Sequence, residues 1–399
     1  MLARRPSIVI FAAAAIVTLA MGVRMAFGLF LPDMSVALGI GRSSFGLALA
    51  LQNLLFGLAQ PFVGALADKH GAGRVVATGA LIYVAGLVGA SFAGGAMGLH
   101  LTVGVLVGLA MSATTFVVVL GAVGRTVPAD KRSMAFGIVT AGGSLGQFLM
   151  VPAGQLLIDE LGWRMALVGL AGVIAFLLVL APGVAGRPRG SHDNGEAYQT
   201  LSQALREAAR ERSFWLLNAG FFVCGFHLAF IATHFPAYLT DKGLPLSAGA
   251  NALALVGLFN IAGSWLFGVM GDRLSKKGLL AALYAARSAV MVGFLALPLT
   301  PVTALGFAAA MGFLWLGTVP LTSGLVGGIF GIRYLSTLYG IVFLSHQVGS
   351  FFGAWSAGLM FDRTGSYDSI WIASVALGLF AALVHLPIRE APVARLQVA

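Results

Sequence analysis

Charge is the property that this sequence lacks most. Only 10% of its 399 residues are charged and 59% are hydrophobic, whereas soluble domains carry about 25% charged residues. This shortage excludes a soluble globular fold and indicates an integral membrane protein. The apolar runs are continuous, whereas the strands of a membrane barrel alternate polar and apolar residues. The sequence therefore predicts an all-α membrane protein.

Long apolar runs define the predicted spans. A helix needs roughly 20 apolar residues to cross a bilayer, and the sequence offers twelve such runs. These predicted spans, numbered 1 to 12 in chain order, cover residues 8–31, 43–66, 74–95, 99–124, 134–158, 163–185, 214–238, 247–270, 278–299, 302–330, 337–360 and 368–388.

Cysteine is almost absent as well. Cys224 is the only one, so the chain cannot form an intramolecular disulfide, and the sequence suggests no cluster of metal ligands. It also lacks a nucleotide-binding loop and a nucleophile-base-acid set. We therefore expect neither an enzyme nor a protein that uses a metal or a cofactor.

The formal net charge of +10 is explained by where the basic residues lie. If the amino terminus is cytoplasmic, only four of the 24 basic residues fall on the opposite side. This is the positive-inside distribution, so the charge requires no nucleic-acid partner. We expect a monomer in the cell (inner) membrane with both termini cytoplasmic. The four opposite-side residues are Arg42, Arg164, Lys242 and Arg363, and Arg24 and Arg287 lie within spans.

Two short stretches show that the chain repeats itself. Residues 22–27 read GVRMAF and residues 225–230 read GFHLAF, so that Arg24 corresponds to His227 at an offset of 203 residues. A repeat of six spans returns the chain to its starting side, so the two halves are parallel and related by an axis along the membrane normal. Further pairs within one residue of this offset are Asp68 with Asp272, Ser133 with Ser336, and Asp159 with Asp362.

The repeat divides the chain into two six-helix bundles. They cover residues 1–185 and 214–399, and a polar linker, 186–213, joins them on the cytoplasmic side. Within the linker, residues 199–212 predict an amphipathic helix that lies on the membrane surface. A substrate would bind between the bundles, near the midplane.

A polar motif follows span 2. Residues 64–74 read GALADKHGAGR, and a weaker copy, GVMGDR, covers residues 268–273 after span 8. With the two six-span repeats, this motif resembles the major facilitator superfamily over the whole chain. The resemblance implies secondary transport by alternating access between the two bundles. It also assigns a cytoplasmic gate to Asp68, Arg74, Asp272 and Arg273.

Span 1 is similar to that of the monocarboxylate transporters within this superfamily. Their span 1 carries a functional lysine, and Arg24 stands in that place. Those proteins and the oxalate-formate exchangers also carry an arginine in span 8, where this chain has Asn260 and Ser264. The exchangers have a lysine in span 11, roughly where His346 and Gln347 stand. A basic site is therefore expected here, but with different residues.

Arg24 lies deep within span 1, roughly 24 Å along the helix at 1.5 Å per residue. A charge at such a depth costs about 3 kcal/mol on insertion scales and normally faces a cavity or a partner. All 14 acidic residues lie in loops or at span ends, so no buried acid is offered as that partner. We therefore expect Arg24 to contact an anionic ligand.

Three histidines are further candidates, with His234 the weakest of them. His227 shares a helical face with Phe230 and His234, and His346 shares one with Tyr339. Because histidine titrates near neutral pH, each could bind substrate or sense protons, while a hydrogen bond within the core is the alternative for all three.

Arg287 lies in span 9, which is peripheral in the fold that the resemblance implies. It is therefore expected to be structural or to face lipid, with its head reaching the cytoplasmic side, and a role in transport is the alternative.

These features lead to two hypotheses. The first is a secondary active transporter of a small organic anion, with a monocarboxylate as the leading candidate. Arg24 would pair with the carboxylate, while Phe27, Phe230 and Trp315 would enclose the apolar body. Proton coupling would have to use histidine or the joint binding of proton and anion, since no acid is buried. The second hypothesis keeps the fold but makes the protein an exporter of neutral or lipophilic compounds.

Overall fold

The computed structural model describes residues 6–126, 132–185, 200–331 and 335–397, and within these ranges the regular elements are helices. Nine helical stretches of the described residues are long and apolar enough to cross a membrane.

One of these nine stretches crosses twice. It covers Ile138–Val184 and is 47 residues long, which at 1.5 Å per residue is about twice the thickness of the hydrocarbon core. Its helix is interrupted at Gly162, where φ is 72°. Two more long helices, Arg42–His70 and Leu335–Thr364, contain 29 and 30 residues. Helices therefore occupy all twelve predicted spans, and the all-α fold is confirmed.

The helix bounds follow the predicted spans closely, and several spans consist of more than one helical piece. Span 1 comprises Pro6–Ala26, the 3-10 turn Phe27–Phe30 and Leu31–Leu38; span 2 is Arg42–His70; span 3 is Ala72–Ser91; span 4 comprises Ala96–Leu99, the π-helical His100–Val107, Gly108–Thr114 and Phe116–Thr126; spans 5 and 6 are Arg132–Ala175, Leu177–Leu180 and Ala181–Val184; span 7 is Arg212–Asp241; span 8 is Leu246–Arg273; span 9 is Lys276–Ala296; span 10 comprises Pro301–Phe313 and Thr318–Phe330; span 11 is Leu335–Thr364; and span 12 is Asp368–His385. Two short helices, Leu201–Arg210 and Ala394–Gln397, lie outside the spans.

Span 1 packs closely along span 5, and span 7 packs in the same way along span 11. In the first pair Gly146 faces the carbonyl group of Thr18, and Thr18 Oγ1 donates to the carbonyl oxygen of Gly142 at 2.9 Å. In the second pair Gly349 faces the carbonyl group of Phe222. A β-carbon at Gly146 or Gly349 would collide with the facing backbone, so small residues permit this approach. Gly349 follows Gly146 at the offset of the sequence repeat.

Two seams join the amino-terminal spans to the carboxy-terminal spans. In the first, span 2 lies against span 11, and Gly46 faces the carbonyl group of Ala354. In the second, span 5 lies against span 8, and Gln147 Nε2 donates to the carbonyl oxygen of Leu253 at 2.8 Å. Both seams run beside the centre of the molecule, where side chains of spans 1, 2, 7, 10 and 11 meet.

Spans 4 and 10 are interrupted at corresponding positions. Span 10 stops at Phe313 and resumes at Thr318. In span 4, Thr115 has an extended backbone, with φ of −120° and ψ of −162°, between two helical pieces. Thr115 and Thr318 are related by the offset of the repeat. Each break frees backbone polar groups that need partners inside a membrane.

The predicted amphipathic helix of the linker is present as Leu201–Arg210. Thr200 begins it with a reciprocal capping box, in which Thr200 N donates to Gln203 Oε1 at 2.8 Å and Gln203 N donates to Thr200 Oγ1 at 3.3 Å. Trp215 Nε1 donates to the carbonyl oxygen of Ala209 at 2.8 Å, which ties the helix to span 7. The linker residues 186–199 lie outside the described part of the chain.

Replacing Gly146 with alanine tests the close packing of spans 1 and 5. The new methyl group must displace the backbone at Thr18, and overpacking of this kind costs about 1–3 kcal/mol. We expect Gly146→Ala to lower the melting temperature of the protein in detergent, measured by intrinsic tryptophan fluorescence. Gly172→Ala is the matched control, because a β-carbon there meets no atom within 4 Å. Equal melting temperatures of the two variants would contradict the tight contact.

Candidate functional site

A central cavity of about 50 Å³ lies where the two sets of spans meet. A water molecule needs roughly 10–15 Å³ of such space, so the cavity has room for a few waters or one small ligand. Its walls come from spans 1, 2, 7, 10 and 11. The lining residues are Arg24, Met25, Phe27, Gly28, Leu49, Gln52, Asn53, Leu228, Ala229, Ala232, Thr233, Trp315, His346 and Ser350.

Arg24 supplies the positive charge of the central cavity. It sits in the last turn of the helix Pro6–Ala26, just before the chain tightens into a 3-10 turn. Its Nη2 donates a short hydrogen bond to Asn53 Oδ1, and its guanidinium carbon lies 5.9 Å from the centre of the Phe56 ring. Among the described residues no acid forms an ion pair with Arg24. Its charge is therefore left uncompensated, with donors to spare.

Asn53, Gln347 and His346 continue from Arg24 as a hydrogen-bonded arc across the seam between spans 2 and 11. Gln347 Nε2 donates to the carbonyl oxygen of Asn53 at 2.9 Å, which fixes the orientation of the Gln347 amide. His346 Nδ1 lies 3.0 Å from Gln347 Oε1. Because an amide oxygen only accepts, we assign the proton of a neutral His346 to Nδ1, which leaves Nε2 as an acceptor.

Trp315 reaches the central cavity from the break in span 10. The break is stabilised by Asn260 of span 8, whose Oδ1 accepts a hydrogen bond from the backbone N–H of Leu316 at 3.0 Å and whose Nδ2 donates to Ser144 Oγ at 3.0 Å. Trp315 is fully buried, and its Nε1 has no hydrogen-bond partner among the described residues. A buried donor of this kind is costly unless a ligand or water accepts from it.

Arg287 also stabilises the break, and its predicted position was wrong. Its side chain is 0% exposed, so its head neither faces lipid nor reaches the cytoplasmic side. Nε and Nη2 donate to the carbonyl oxygen of Leu314 at 3.1 and 2.7 Å, and Nη2 also donates a short bond to that of Trp315. The freed carbonyl groups of span 10 draw the guanidinium inward because hydrocarbon offers them no donor.

The structure brings together only part of the set expected to bind substrate. Arg24, Phe27, Trp315 and His346 line the central cavity. Tyr339 lies outside this lining and packs against other aromatic rings, with ring-centre distances of 6.1 Å to Phe221 and 6.4 Å to Phe343.

His227 and Phe230 point towards span 12 instead of the cavity. His227 Nε2 lies 2.8 Å from the carbonyl oxygen of Ser374, and the Phe230 ring lies 4.9 Å from that of Trp371. Each residue advances about 100° around a helix, so the cavity side of span 7 is formed by their neighbours. These neighbours are Leu228, Ala229, Ala232 and Thr233.

Several lining residues were not anticipated from the sequence. Leu49, Leu228 and Ala229 are ordinary apolar residues of a span, and nothing in their type distinguishes a cavity wall from a helix contact. Gln52 and Thr233 are polar residues within spans, and this is the only signal that could have selected them.

The expected gate residues lie on the side opposite the Arg42 end of span 2. Arg74 and Arg273 are exposed there, at helix ends. The side chains of Asp68 and Asp272 lie outside the part of the chain that the structure describes, so their assignment to a gate stays a prediction.

A second cluster, which we call the Arg42 cluster, joins the two halves on the Arg42 side. Arg42 Nη1 and Nη2 bind the Asp241 carboxylate at 2.5 and 2.6 Å. The Asp362 carboxylate accepts from the backbone N–H groups of Arg42 and Ser43 at 2.9 Å, where it caps the helix of span 2. Tyr367 and His234 complete the cluster. In the sequence, the only indication of this cluster was that Asp362 corresponds to Asp159 in the internal repeat.

A family model supports the interpretation of the fold. The model of the Major Facilitator Superfamily matches residues 12–354. The chain belongs to the major facilitator superfamily. It is therefore a secondary transporter with multiple membrane spans and not an enzyme.

Relatives in this superfamily cover most of the chain at low identity. Human monocarboxylate transporter 11 is 28% identical over 96% of this chain and 83% of its own length. Human monocarboxylate transporter 12 is 27% identical over 81% of this chain and 70% of its own length. YcxA of Bacillus subtilis, an uncharacterized transporter of the superfamily, is 24% identical over 91% of this chain and 90% of its own length.

Solved structures share the fold. A bacterial homolog of the human lysosomal transporter Spinster, in an inward-facing and occupied conformation, aligns with a TM-score of 0.75 at 17% identity. The alignment covers 96% of this chain and 97% of that protein. The twelve-span superfamily fold is thus confirmed over nearly the whole chain.

Arg287→Leu tests whether the break in span 10 depends on the buried guanidinium. Removing it leaves the carbonyl groups of Leu314 and Trp315 without their donors, at a cost of at least about 2 kcal/mol. We expect a melting temperature in detergent several degrees below that of the parent. Arg363→Leu is the matched control, since Arg363 is exposed. Equal melting temperatures would contradict a structural role for Arg287.

Proposed function

We propose that this transporter carries small monocarboxylates across the membrane by alternating access between its two halves. The observation that carries the proposal is Arg24, a cation within a span that lines the central cavity and has no acidic partner among the described residues. An intramembrane cation without an acidic partner normally faces a cavity, where water or a ligand satisfies its remaining donors, and a carboxylate matches the planar guanidinium fork.

The surroundings of Arg24 suit a short carboxylate. Asn53 holds one Nη and thereby fixes the plane of the guanidinium, which leaves the remaining donors for the ligand. The indole N–H of Trp315 is a second candidate donor, because it has no partner among the described residues. Phe27 and Leu228 add apolar wall, against which an alkyl chain gains about 0.8 kcal/mol per buried methylene group.

The relatives support the same substrate class. Monocarboxylate transporters 11, 12 and 13 match this chain at 25–28% identity. Asn260 stands where the resemblance to the monocarboxylate transporters implies a span 8 arginine, and it holds the break of span 10. In the proposed mechanism Arg24 is therefore the single cation of the substrate site, and the arc to His346 carries the polar contacts to span 11.

The transport cycle assigns roles to the two ends of the molecule. The bundles at 1–185 and 214–399 would rock against each other around the central cavity, with the Arg42 cluster as the contact on one side. Asp68, Arg74, Asp272 and Arg273 would form the gate on the other, cytoplasmic side. We propose that the protein works as a monomer in the cell membrane, that both termini are cytoplasmic, and that a proton accompanies the anion.

Replacing Arg24 tests the substrate site. We expect Arg24→Gln to reduce propionate uptake into proteoliposomes by roughly 30-fold or more, since losing a buried charged hydrogen bond costs about 2 kcal/mol or more. Arg24→Lys keeps the charge but loses the planar guanidinium group that binds a carboxylate through two hydrogen bonds, so it should retain partial uptake. The melting temperature of each variant shows whether it is folded. Parent-like uptake by a folded Arg24→Gln variant would remove Arg24 from the site.

The charge of the ligand separates this proposal from an exporter of neutral or lipophilic compounds. Propionate and propionamide have nearly the same shape, but only propionate can form an ion pair with Arg24. We expect propionate to raise the melting temperature of the parent protein and propionamide to leave it unchanged at equal concentration. Equal stabilisation by both compounds would favour the exporter of neutral compounds.

A further inference from the structure

We propose that His234 is a proton-binding site that controls the contact between the two halves on the Arg42 side. In this proposal, protonation of His234 loosens the ion pair of Arg42 with Asp241 and opens that side of the central cavity. The geometric argument for this proton site does not depend on the substrate. Only the role of His234 in coupling proton movement to anion transport rests on the proposed function.

His234 is fully buried within span 7, at 0% exposure. Its Nε2 lies 2.7 Å from the carbonyl oxygen of Ala354 in span 11, and its Nδ1 lies 3.1 Å from Tyr367 Oη at the start of span 12. Tyr367 Oη in turn accepts a hydrogen bond from Arg42 Nη1 at 3.0 Å. One continuous chain of hydrogen bonds therefore leads from the histidine to the ion pair between Arg42 and Asp241.

The donors along this chain can be assigned from chemistry alone. A carbonyl oxygen only accepts, so the Nε2 of His234 must carry a proton and donate to Ala354. Arg42 has only donors, so Tyr367 Oη accepts from it and its own hydrogen points to His234 Nδ1. The chain is thus complete when His234 is neutral, with Nδ1 as the acceptor.

A second proton on His234 cannot be added without disturbing the chain. A proton on Nδ1 turns that atom into a donor, so the hydroxyl hydrogen of Tyr367 loses its acceptor and the oxygen then faces donors from both His234 and Arg42. The new positive charge also stands one hydroxyl group away from the Arg42 guanidinium. Both effects favour the departure of Arg42, and with it the separation of spans 2 and 7.

Other charged groups around His234 must be considered. On span 2 the facing cation is Arg42, and on span 11 the Asp362 carboxylate acts on the histidine as well. Asp241 ends span 7, and Asp368 begins span 12 close to Tyr238. These carboxylates also titrate in acid, so an experiment on pH must separate them from the histidine. On span 4, the ring of His100 is bonded to Ser44, two residues after Arg42.

Span 7 connects this proton site to the central cavity. Thr233 lines the cavity and is the neighbour of His234 in the sequence, so the two side chains lie about 100° apart on the same helix. Gly28 lies directly against the carbonyl group of Ala232, which closes the cavity at the same level. Movement of span 7 relative to spans 1 and 2 would therefore open the cavity towards the Arg42 side.

The test is cysteine labelling of the cavity from the Arg42 side. Ala229→Cys places a thiol in the cavity wall, while the native Cys224 is buried and serves as the blank. A membrane-impermeant maleimide is added to oriented vesicles, and Val36→Cys, at an exposed position before Arg42, reports that the reagent reaches this side. Labelling of Ala229→Cys should accelerate at least about fivefold between about pH 8 and about pH 5.5, relative to Val36→Cys.

His234→Gln is the decisive variant. A glutamine amide can donate to Ala354 and accept from Tyr367, as neutral histidine does, but it cannot take up a proton. We expect labelling in this background to stay slow at both pH values. If labelling in the His234→Gln background accelerates in acid as much as in the parent, the proposal is overturned and the nearby carboxylates are the groups that respond to pH. If labelling of the parent does not accelerate in acid, the proposal is overturned as well.

Two further variants provide an alternative test and a control. Tyr367→Phe keeps His234 but removes the hydroxyl link to Arg42, which leaves only the charge repulsion, so it should weaken the acid response. If His234→Gln does not fold, an undiminished response of Tyr367→Phe overturns the proposal. His385→Gln is the matched control: this buried histidine bonds within its own helix, to the carbonyl oxygen of Ala381 at 2.7 Å. It should keep the full acid response, and a loss there would contradict the assignment to His234.

The labelling experiment contains no substrate, so it is independent of the proposed cargo. Failure of propionate to stabilise the parent protein would refute the proposed function and leave the proton site intact. Conversely, if His234→Gln retains both the propionate-induced shift in melting temperature and the acid response of labelling, the proposed substrate class is supported and the proposed proton site is refuted.

Discussion

An uncompensated cation is the constraint on which the centre of this protein depends. Arg24 lies within a span, and the described residues offer it an amide oxygen from Asn53 but no carboxylate. A charge at such a depth costs at least about 3 kcal/mol, and the protein must lower that cost without neutralising the charge. It does so with an amide partner, an aromatic neighbour and a small cavity, an arrangement that leaves the electrostatic attraction available to an anion.

The shape of the cavity follows from how closely the helices approach. Glycines bring span 1 against span 5 and span 7 against span 11, so that Arg24 is held on a firmly packed helix. The break in span 10 places Trp315 in the wall of the same cavity, and this break is possible because Asn260 and Arg287 satisfy the freed backbone groups. The two cations within spans thus have different tasks: Arg287 binds carbonyl groups of the protein itself, while Arg24 keeps donors free.

The sequence predicted the features that depend on hydropathy and repetition. Twelve apolar runs, the internal repeat and the linker helix needed no tertiary information, because the bilayer alone requires long apolar helices. Arg24 was recognised as a cavity residue for the same reason. The sequence could not tell which way a helix is rotated. His227 occupies the position that corresponds to Arg24, yet its side chain turns towards span 12 and bonds to the carbonyl group of Ser374.

Arg287 and the Arg42 cluster show the other limit of sequence reasoning. Arg287 was expected at the periphery because span 9 is peripheral, but the break in span 10 was not foreseen, and the break is what draws the guanidinium inward. Likewise, Arg42, Asp241 and Tyr367 are far apart in the chain and lie in loops or at span ends, where charged residues are ordinary. Only the approach of the two halves turns them into a connected cluster.

The most direct measurement of the central claim is a crystal structure with 3-bromopropionate, located by the anomalous scattering of bromine. The predicted result is a carboxylate within about 3 Å of the Arg24 guanidinium nitrogens, with the bromine directed towards the apolar wall at Phe27 and Leu228. Bromine density elsewhere in the protein, with the Arg24 guanidinium free of any carboxylate, would contradict an anion site built on Arg24.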